Sequence, residues 1–385
     1  MSSSTSELTL DAQRGFLPSH DPLTRLPQPF DAWEHVASGL PKLLASDHIR
    51  RTIEDLPPFP VDQIADARER ERAMTLLSYL GHAYVWRGGK PAEILPHQIA
   101  VPWHAVAESL GRPPVLSYSS YSLHNYFRFD ANREIECGNI ALIQNFLGGL
   151  DEEWFILVHV EIERKAGPAL AALHACLDAA GARDAEQLEQ HLATVHASIE
   201  AIYATLKRMM EWCDPYIYYH RVRPYIHGWK NHPDLPQGLI YEGVDAYDGQ
   251  PQQFRGETGA QSAIIPSLDA MLGIGHKEDF LKAYLIEMRT YMPPDHRRFI
   301  ESIEGRGSVR GFVESAQNAQ LTEVYNACVE GVERFRTLHL EYAAAYIFKQ
   351  AQTDAKNPHA VGTGGTPFMP YLTKHRDETA LHRLK

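Results

Sequence analysis

Residues 318–350 read NAQLTEVYNACVEGVERFRTLHLEYAAAYIFKQ, with no proline and one glycine. Leu321, Val324, Tyr325, Cys328, Val332, Phe335, Tyr342 and Tyr346 recur at helical spacing. That pattern predicts a long helix with one apolar stripe turned toward a core. His339 stands in the stripe where a leucine is expected. A buried imidazole has to be satisfied by a hydrogen bond or by a metal. A lone buried histidine is more often a satisfied core residue than a ligand, and from this helix alone both readings stay open. Zinc is the poorer metal, because it needs three or four protein ligands and no H-x-x-x-H pair surrounds His339. Haem iron needs one axial imidazole and keeps its other face for chemistry.

Working outward, helical periodicity dominates. It predicts helices over 184–213, 261–273, 277–291 and 294–304, and over 152–178 with a kink or break at Gly167-Pro168. Ahead of these lie a short amphipathic helix over 30–45, a stronger one over 65–86 ended by Gly88-Gly89, and a short one over 103–110. Tyr118–Phe129 has no clear period, and 130–149 reads as a connection or a small strand-bearing patch. The first residues are Ser/Thr-rich. The expected organisation is a mobile N-terminus over 1–14, a smaller α-rich N-terminal domain over 15–148 and a large helical domain over 149–385. The fold class is mainly α.

Composition narrows the function. The chain has 385 residues, a net charge of −12 and no Lys/Arg run, which argues against nucleic acid and anionic membrane as partners. Cys137, Cys176, Cys213 and Cys328 are widely spaced with no C-x-x-C. A zinc ribbon, a thioredoxin-like site and covalent c-type haem attachment are therefore not expected. The N-terminus has no apolar signal core, and no apolar run is long enough to span a bilayer. A reducing cytoplasmic setting is the expectation.

Three features could carry chemistry. In DPYIYYHRVRPYIHGW (214–229), Arg221 and Arg223 lie among Tyr216, Tyr218, Tyr219, Tyr225 and Trp229. This is either a half-exposed helix with snorkelling arginines or an aromatic pocket whose arginine grips a carboxylate through its planar fork. In FILVHVEIE (155–163), His159 interrupts an apolar helix. It is either a core histidine with a backbone partner or a pocket histidine able to exchange a proton or hydrogen bond near neutral pH. GTGGT at 362–366 lacks the P-loop spacing and reads as a surface loop or a flexible cover over a pocket. No G-x-S-x-G, H-E-x-x-H or dinucleotide fingerprint occurs, so hydrolase, zinc-protease and nucleotide-cofactor readings have no motif.

Taken in order, GFLP with DPLTRLP (15–27), ILPHQIAVP (94–102), GWK with GLIYEG (228–243), MRTYMPP (288–294), FRTLHL (335–340) and GTGGT resemble the indoleamine 2,3-dioxygenases over nearly the whole chain. The resemblance implies a haem b enzyme that cleaves the C2–C3 bond of L-tryptophan, or a related indoleamine, with O2 to give N-formylkynurenine. It also implies an electron donor that keeps the iron ferrous. His339 then corresponds to the proximal haem ligand and Arg336 to an arginine near a haem propionate. Arg223 corresponds to the arginine that contacts the substrate carboxylate. Tyr218 and Tyr219 correspond to a Phe-Phe pair on the substrate, Phe155 and Tyr118 to walls of the indole pocket, and Thr363 to the mobile-loop threonine near the substrate ammonium.

Two departures stand out. Animal members of the family carry serine at the position of His159, whereas the related tryptophan 2,3-dioxygenases place a histidine there against the indole N–H. The pair Tyr218-Tyr219 adds two hydroxyls to the pocket and opens the way to a ring-substituted indole. Two other functions compete: an indole monooxygenase of a biosynthetic pathway, and a haem-based sensor without turnover. The carboxylate anchor Arg223 argues against the sensor.

Overall fold

The computed structural model describes residues 10–88, 90–352, 362–363 and 368–385. Most of the mobile segment expected over 1–14, and Gly364–Thr366 of the glycine-rich loop, lie outside these residues. The chain begins with α1 (Asp31–Ser38), α2 (Leu40–Leu44), α3 (Ile49–Glu54) and α4 (Ala67–Trp86). Next come β1 (Ile94–Leu95), α5 (His97–Ser109), β2 (Tyr126–Arg128) and β3 (Ile140–Leu142). The helical body is α6 (Leu150–Gly181), α7 (Ala185–Lys207), α8 (Met209–Trp212) and α9 (Pro215–Ile217). After β4 (Ile240–Tyr241) follow α10 (Ile264–Leu272), α11 (Phe280–Arg289), α12 (Pro294–Arg306) and α13 (Arg310–Ala316). The chain closes with α14 (Ala319–Ala343), α15 (Lys349–Ala351) and α16 (Phe368–Ala380). The fold is mainly α. The strands form two two-stranded pieces, β1 parallel to β4 and β2 antiparallel to β3.

Local chemistry sets several boundaries. Asp66 caps α4 by accepting from the Glu69 N–H at 2.9 Å, and Asp184 caps α7 by accepting from Gln187 at 3.0 Å. Asn318 caps α14 through the N–H groups of Gln320 and Leu321. Each such cap contributes about 1 kcal/mol. The long helix expected over 318–350 is present, but its last turns open into a π turn at Ala344–Phe348.

Of the kink or break expected at Gly167-Pro168, the break does not occur. The helix runs unbroken from Leu150 to Gly181. An interior proline costs roughly 3 kcal/mol, and burial on both sides of it, at Ala166, Ala169, Leu170 and Leu173, offsets that cost. Gly167 serves a different purpose. A Cβ there would lie 2.4 Å from the Ala12 carbonyl oxygen, so the glycine seats the N-terminal segment on the helix.

The helices α6, α7 and α14 form the layer that carries the histidines. Both α6 and α14 pack along α7. Gly331 lets α14 come close, since a Cβ there would sit 2.6 Å from Ile199 Cγ2. α16 then docks on α14. The aromatic stretch 118–129, whose period was unreadable, folds as a π turn at Ser119–Leu123 followed by β2. Cys176, Cys213 and Cys328 are buried, and the described cysteines form no disulfide. Among the described residues no helix is long and apolar enough to cross a membrane.

Candidate active site

Two buried histidines can be compared directly. His82 in α4 is fully buried and satisfied on both nitrogens. Nδ1–H donates to the Tyr225 carbonyl at 2.8 Å, and Nε2 accepts from the Leu116 N–H at 2.9 Å. That is how a core histidine is accommodated. His339 differs on each count. Its ring is solvent-accessible, and among the described residues neither ring nitrogen makes a hydrogen bond. Yet desolvation by the surrounding protein, then the charges of His159 and Arg336, push its pKa down to about 4. Accessible surface together with strong desolvation describes a side chain that lines an internal cleft. The ring is neutral near pH 7 and offers a lone pair to that cleft.

His159 comes from α6 and lies close enough to oppose protonation of His339. Its Nδ1 is 2.7 Å from the Phe155 carbonyl. A carbonyl only accepts, so Nδ1 carries the proton. Burial lowers the pKa of His159, the ring is neutral near pH 7, and Nε2 is therefore an acceptor.

Around His159 the aromatic side chains form one wall. Phe155 lies 4.7 Å from the His159 ring and 4.5 Å from Tyr218. Tyr118 stands edge-on to His159 at 6.0 Å, and Tyr121 lies 6.4 Å from Phe155. Tyr218 continues to Tyr346 of the α14 extension at 5.6 Å, and the Tyr346 hydroxyl holds the Cys213 carbonyl. Tyr219 instead packs under Arg223, whose guanidinium carbon is 5.2 Å from the ring centre. Arg223 is only 1% exposed and near enough to act on Tyr218 electrostatically. It sits at the start of a 3-10 turn, Arg223–Ile226.

That turn is tied to a second loop. The Glu257 N–H donates to the Ile226 carbonyl at 3.1 Å. Gly228 and Gly256 meet backbone to backbone, where any Cβ would collide. Thr363, in the described part of the glycine-rich stretch, donates its hydroxyl to the Glu257 carbonyl. Arg223, Glu257 and Thr363 are thereby linked. Burial raises the Glu257 pKa to about 8, and its carboxyl lies near enough to Tyr118, Tyr121 and Tyr218 to act on them when ionised. Glu163, which accepts from Ser262 at 2.7 Å and holds the Tyr118 hydroxyl, is raised to about 7 by burial. The sequence reading missed both carboxylates. Glu163 looked like the polar face of α6, and Glu257 sits in a Gly-flanked loop; only burial marks them.

Arg336, one turn before His339, turns its guanidinium toward α10 and α16. It bonds Asp269 Oδ2 at 2.5 Å and the Thr379 hydroxyl. Both contacts orient the helix that carries His339.

A sequence model of the indoleamine 2,3-dioxygenase family matches residues 4–382. This chain belongs to that family. It is 37% identical over 386 residues to indoleamine 2,3-dioxygenase 1 of Rattus norvegicus, covering 97% of this chain and 94% of the rat protein. It is 33% identical over 418 residues to the indoleamine 2,3-dioxygenase of Saccharomyces cerevisiae, covering 96% and 91%. It is also 33% identical over 382 residues to indoleamine 2,3-dioxygenase acdA of Aspergillus candidus, covering 95% and 94%. Members of the indoleamine 2,3-dioxygenase family are haem-dependent oxidoreductases. The residues present fit a haem. The neutral, unbonded imidazole of His339 opens onto a cleft, a second neutral histidine stands near it, and the wall is aromatic.

Proposed function

We propose that this enzyme cleaves the C2–C3 bond of L-tryptophan, or a close indole relative, to N-formylkynurenine, using haem b held by His339. The observation that carries this reading is the contrast between His82, bonded on both nitrogens, and His339, solvent-accessible and bonded on neither among the described residues. Bound haem supplies the activation of O2. The protein supplies orientation and a dry pocket. Arg223 holds the substrate carboxylate, and its burial makes that charge-assisted bond stronger than it would be in water. The aromatic wall of Tyr118, Phe155 and Tyr218 receives the indole. His159 Nε2 accepts the indole N–H. Glu257 faces the substrate ammonium, and Thr363 fixes the backbone of that carboxylate. An external donor keeps the iron ferrous, and the enzyme works in the cytoplasm.

The test uses purified, reduced protein with L-tryptophan and 18O2, read by product mass. The reading expects N-formylkynurenine carrying both labelled atoms. One labelled atom would make the enzyme a monooxygenase. O2 binding without tryptophan consumption would make it a binder.

A further inference from the structure

Away from the cleft, α16 brings together side chains that lie far apart in sequence. His276, in the turn after α10, and His375 and Glu378 of α16 place one ligand atom each within 4.8 Å of one another. The two imidazoles stack with centroids 4.1 Å apart. His276 Nδ1 lies 2.8 Å from Glu378 Oε2. His276 Nε2 lies 3.3 Å from Asp269 Oδ2, and Asp269 is itself fixed by Arg336. His375 is 8% exposed, and its buried Nε2 has no hydrogen-bond partner among the described residues. Glu378 Oε1 is ion-paired with Lys374 Nζ at 3.5 Å.

We propose that His276, His375 and Glu378 form a divalent metal site, best suited to zinc, that fastens α16 to α10 and α14. The ligand set of two imidazoles and one carboxylate is a known zinc combination that leaves one position for water. The ion takes the place of the proton that His276 Nδ1 shares with Glu378, and it gives the orphaned His375 Nε2 a partner. His276 then donates Nε2–H to Asp269, the carboxylate–histidine–metal arrangement that fixes a ligand's tautomer. Burial, then the neighbouring His276 and Arg336 charges, hold the His375 pKa near 3, so its lone pair is free at neutral pH. The facing charges are mixed: Asp269 and Glu378 against Arg336 and Lys374, with Lys374 also drawn away by Asp279. A surface groove lined in part by Lys277, Thr373 and Lys374 borders the site at Glu378.

The test uses tag-free holoenzyme stripped with EDTA, dialysed, loaded with Zn2+ and passed through a desalting column. Metal per chain is measured by mass spectrometry and affinity by calorimetry. One retained zinc per chain is expected, and His375→Ala and Glu378→Gln should each weaken it at least tenfold. Asp269→Asn should weaken it by roughly 10- to 100-fold. Helical circular dichroism checks that each variant folds. X-ray absorption at the zinc edge of the wild-type protein should show two imidazoles and oxygen, which tests the ligand set even where a variant fails to fold. No retained zinc, unchanged affinity in the His375 and Glu378 variants, or a cysteine-containing shell would each overturn the proposal.

Discussion

Replacing His159 with alanine tests whether its Nε2 accepts the indole N–H. The direction of this bond is set by the protein, because Nδ1–H is committed to the Phe155 carbonyl. A neutral hydrogen bond is worth about 0.5–1.5 kcal/mol net, or roughly a two- to thirteenfold loss in kcat/KM for L-tryptophan. 1-Methyl-L-tryptophan has no indole N–H and pushes its methyl group toward Nε2. It should be the poorer substrate for the wild-type enzyme, and His159→Ala should leave its kcat/KM unchanged or raise it. Steady-state rates of formylkynurenine production with both substrates give the four values needed. Acid should mimic the substitution: protonated His159 turns Nε2 into a donor. Because burial lowers its pKa, the loss should appear only below about pH 6.5 and not between pH 7 and 8. An equal loss with both substrates, or no loss with tryptophan, would show that His159 does not accept this bond.

Arg223→Leu removes at least one charge-assisted bond of about 1.5–3 kcal/mol; kcat/KM for L-tryptophan should fall roughly 10- to 150-fold, while the same measurement on Arg298→Leu, an exposed surface arginine, should change little. Glu257 is protonated in the fold up to about pH 8 but titrates near 4.5 when exposed, so its contribution to stability is lost as pH rises through that window. Glu257→Gln should flatten the decline in urea stability between pH 5 and 8. Tryptophan binding to the wild type at pH 7 should release a proton as the ammonium ionises Glu257, seen as buffer-dependent calorimetric heat that Glu257→Gln abolishes. Gly167→Ala places a methyl group 2.4 Å from the Ala12 carbonyl oxygen. This overpacking costs about 1–3 kcal/mol and should speed tryptic cleavage at Arg14.

What was legible in the sequence is what local physics decides. The helix of His339 could be read because its stripe runs unbroken to Tyr346, but the π turn at 344–348 leaves that periodicity almost unchanged. The helix stays continuous through Gly167-Pro168 because tertiary burial on both sides outweighs a local penalty. α16 was missed: it follows a glycine-rich stretch, carries Pro370 in its first turn and has charges on several faces. The aromatic and basic residues of the site were conspicuous as residue types out of place in apolar or aromatic runs. Glu257 was not, since a glutamate in a loop looks ordinary until burial is known. The His276, His375 and Glu378 cluster spans 102 residues of chain and exists only once α16 has docked.

In the proposed function His339 would hold the haem iron. His339→Gly should purify with little haem and without the wild-type Soret band, and added imidazole should restore binding and the band by filling the same position. A His339→Gly protein that keeps full haem content and an unaltered spectrum without imidazole would contradict it.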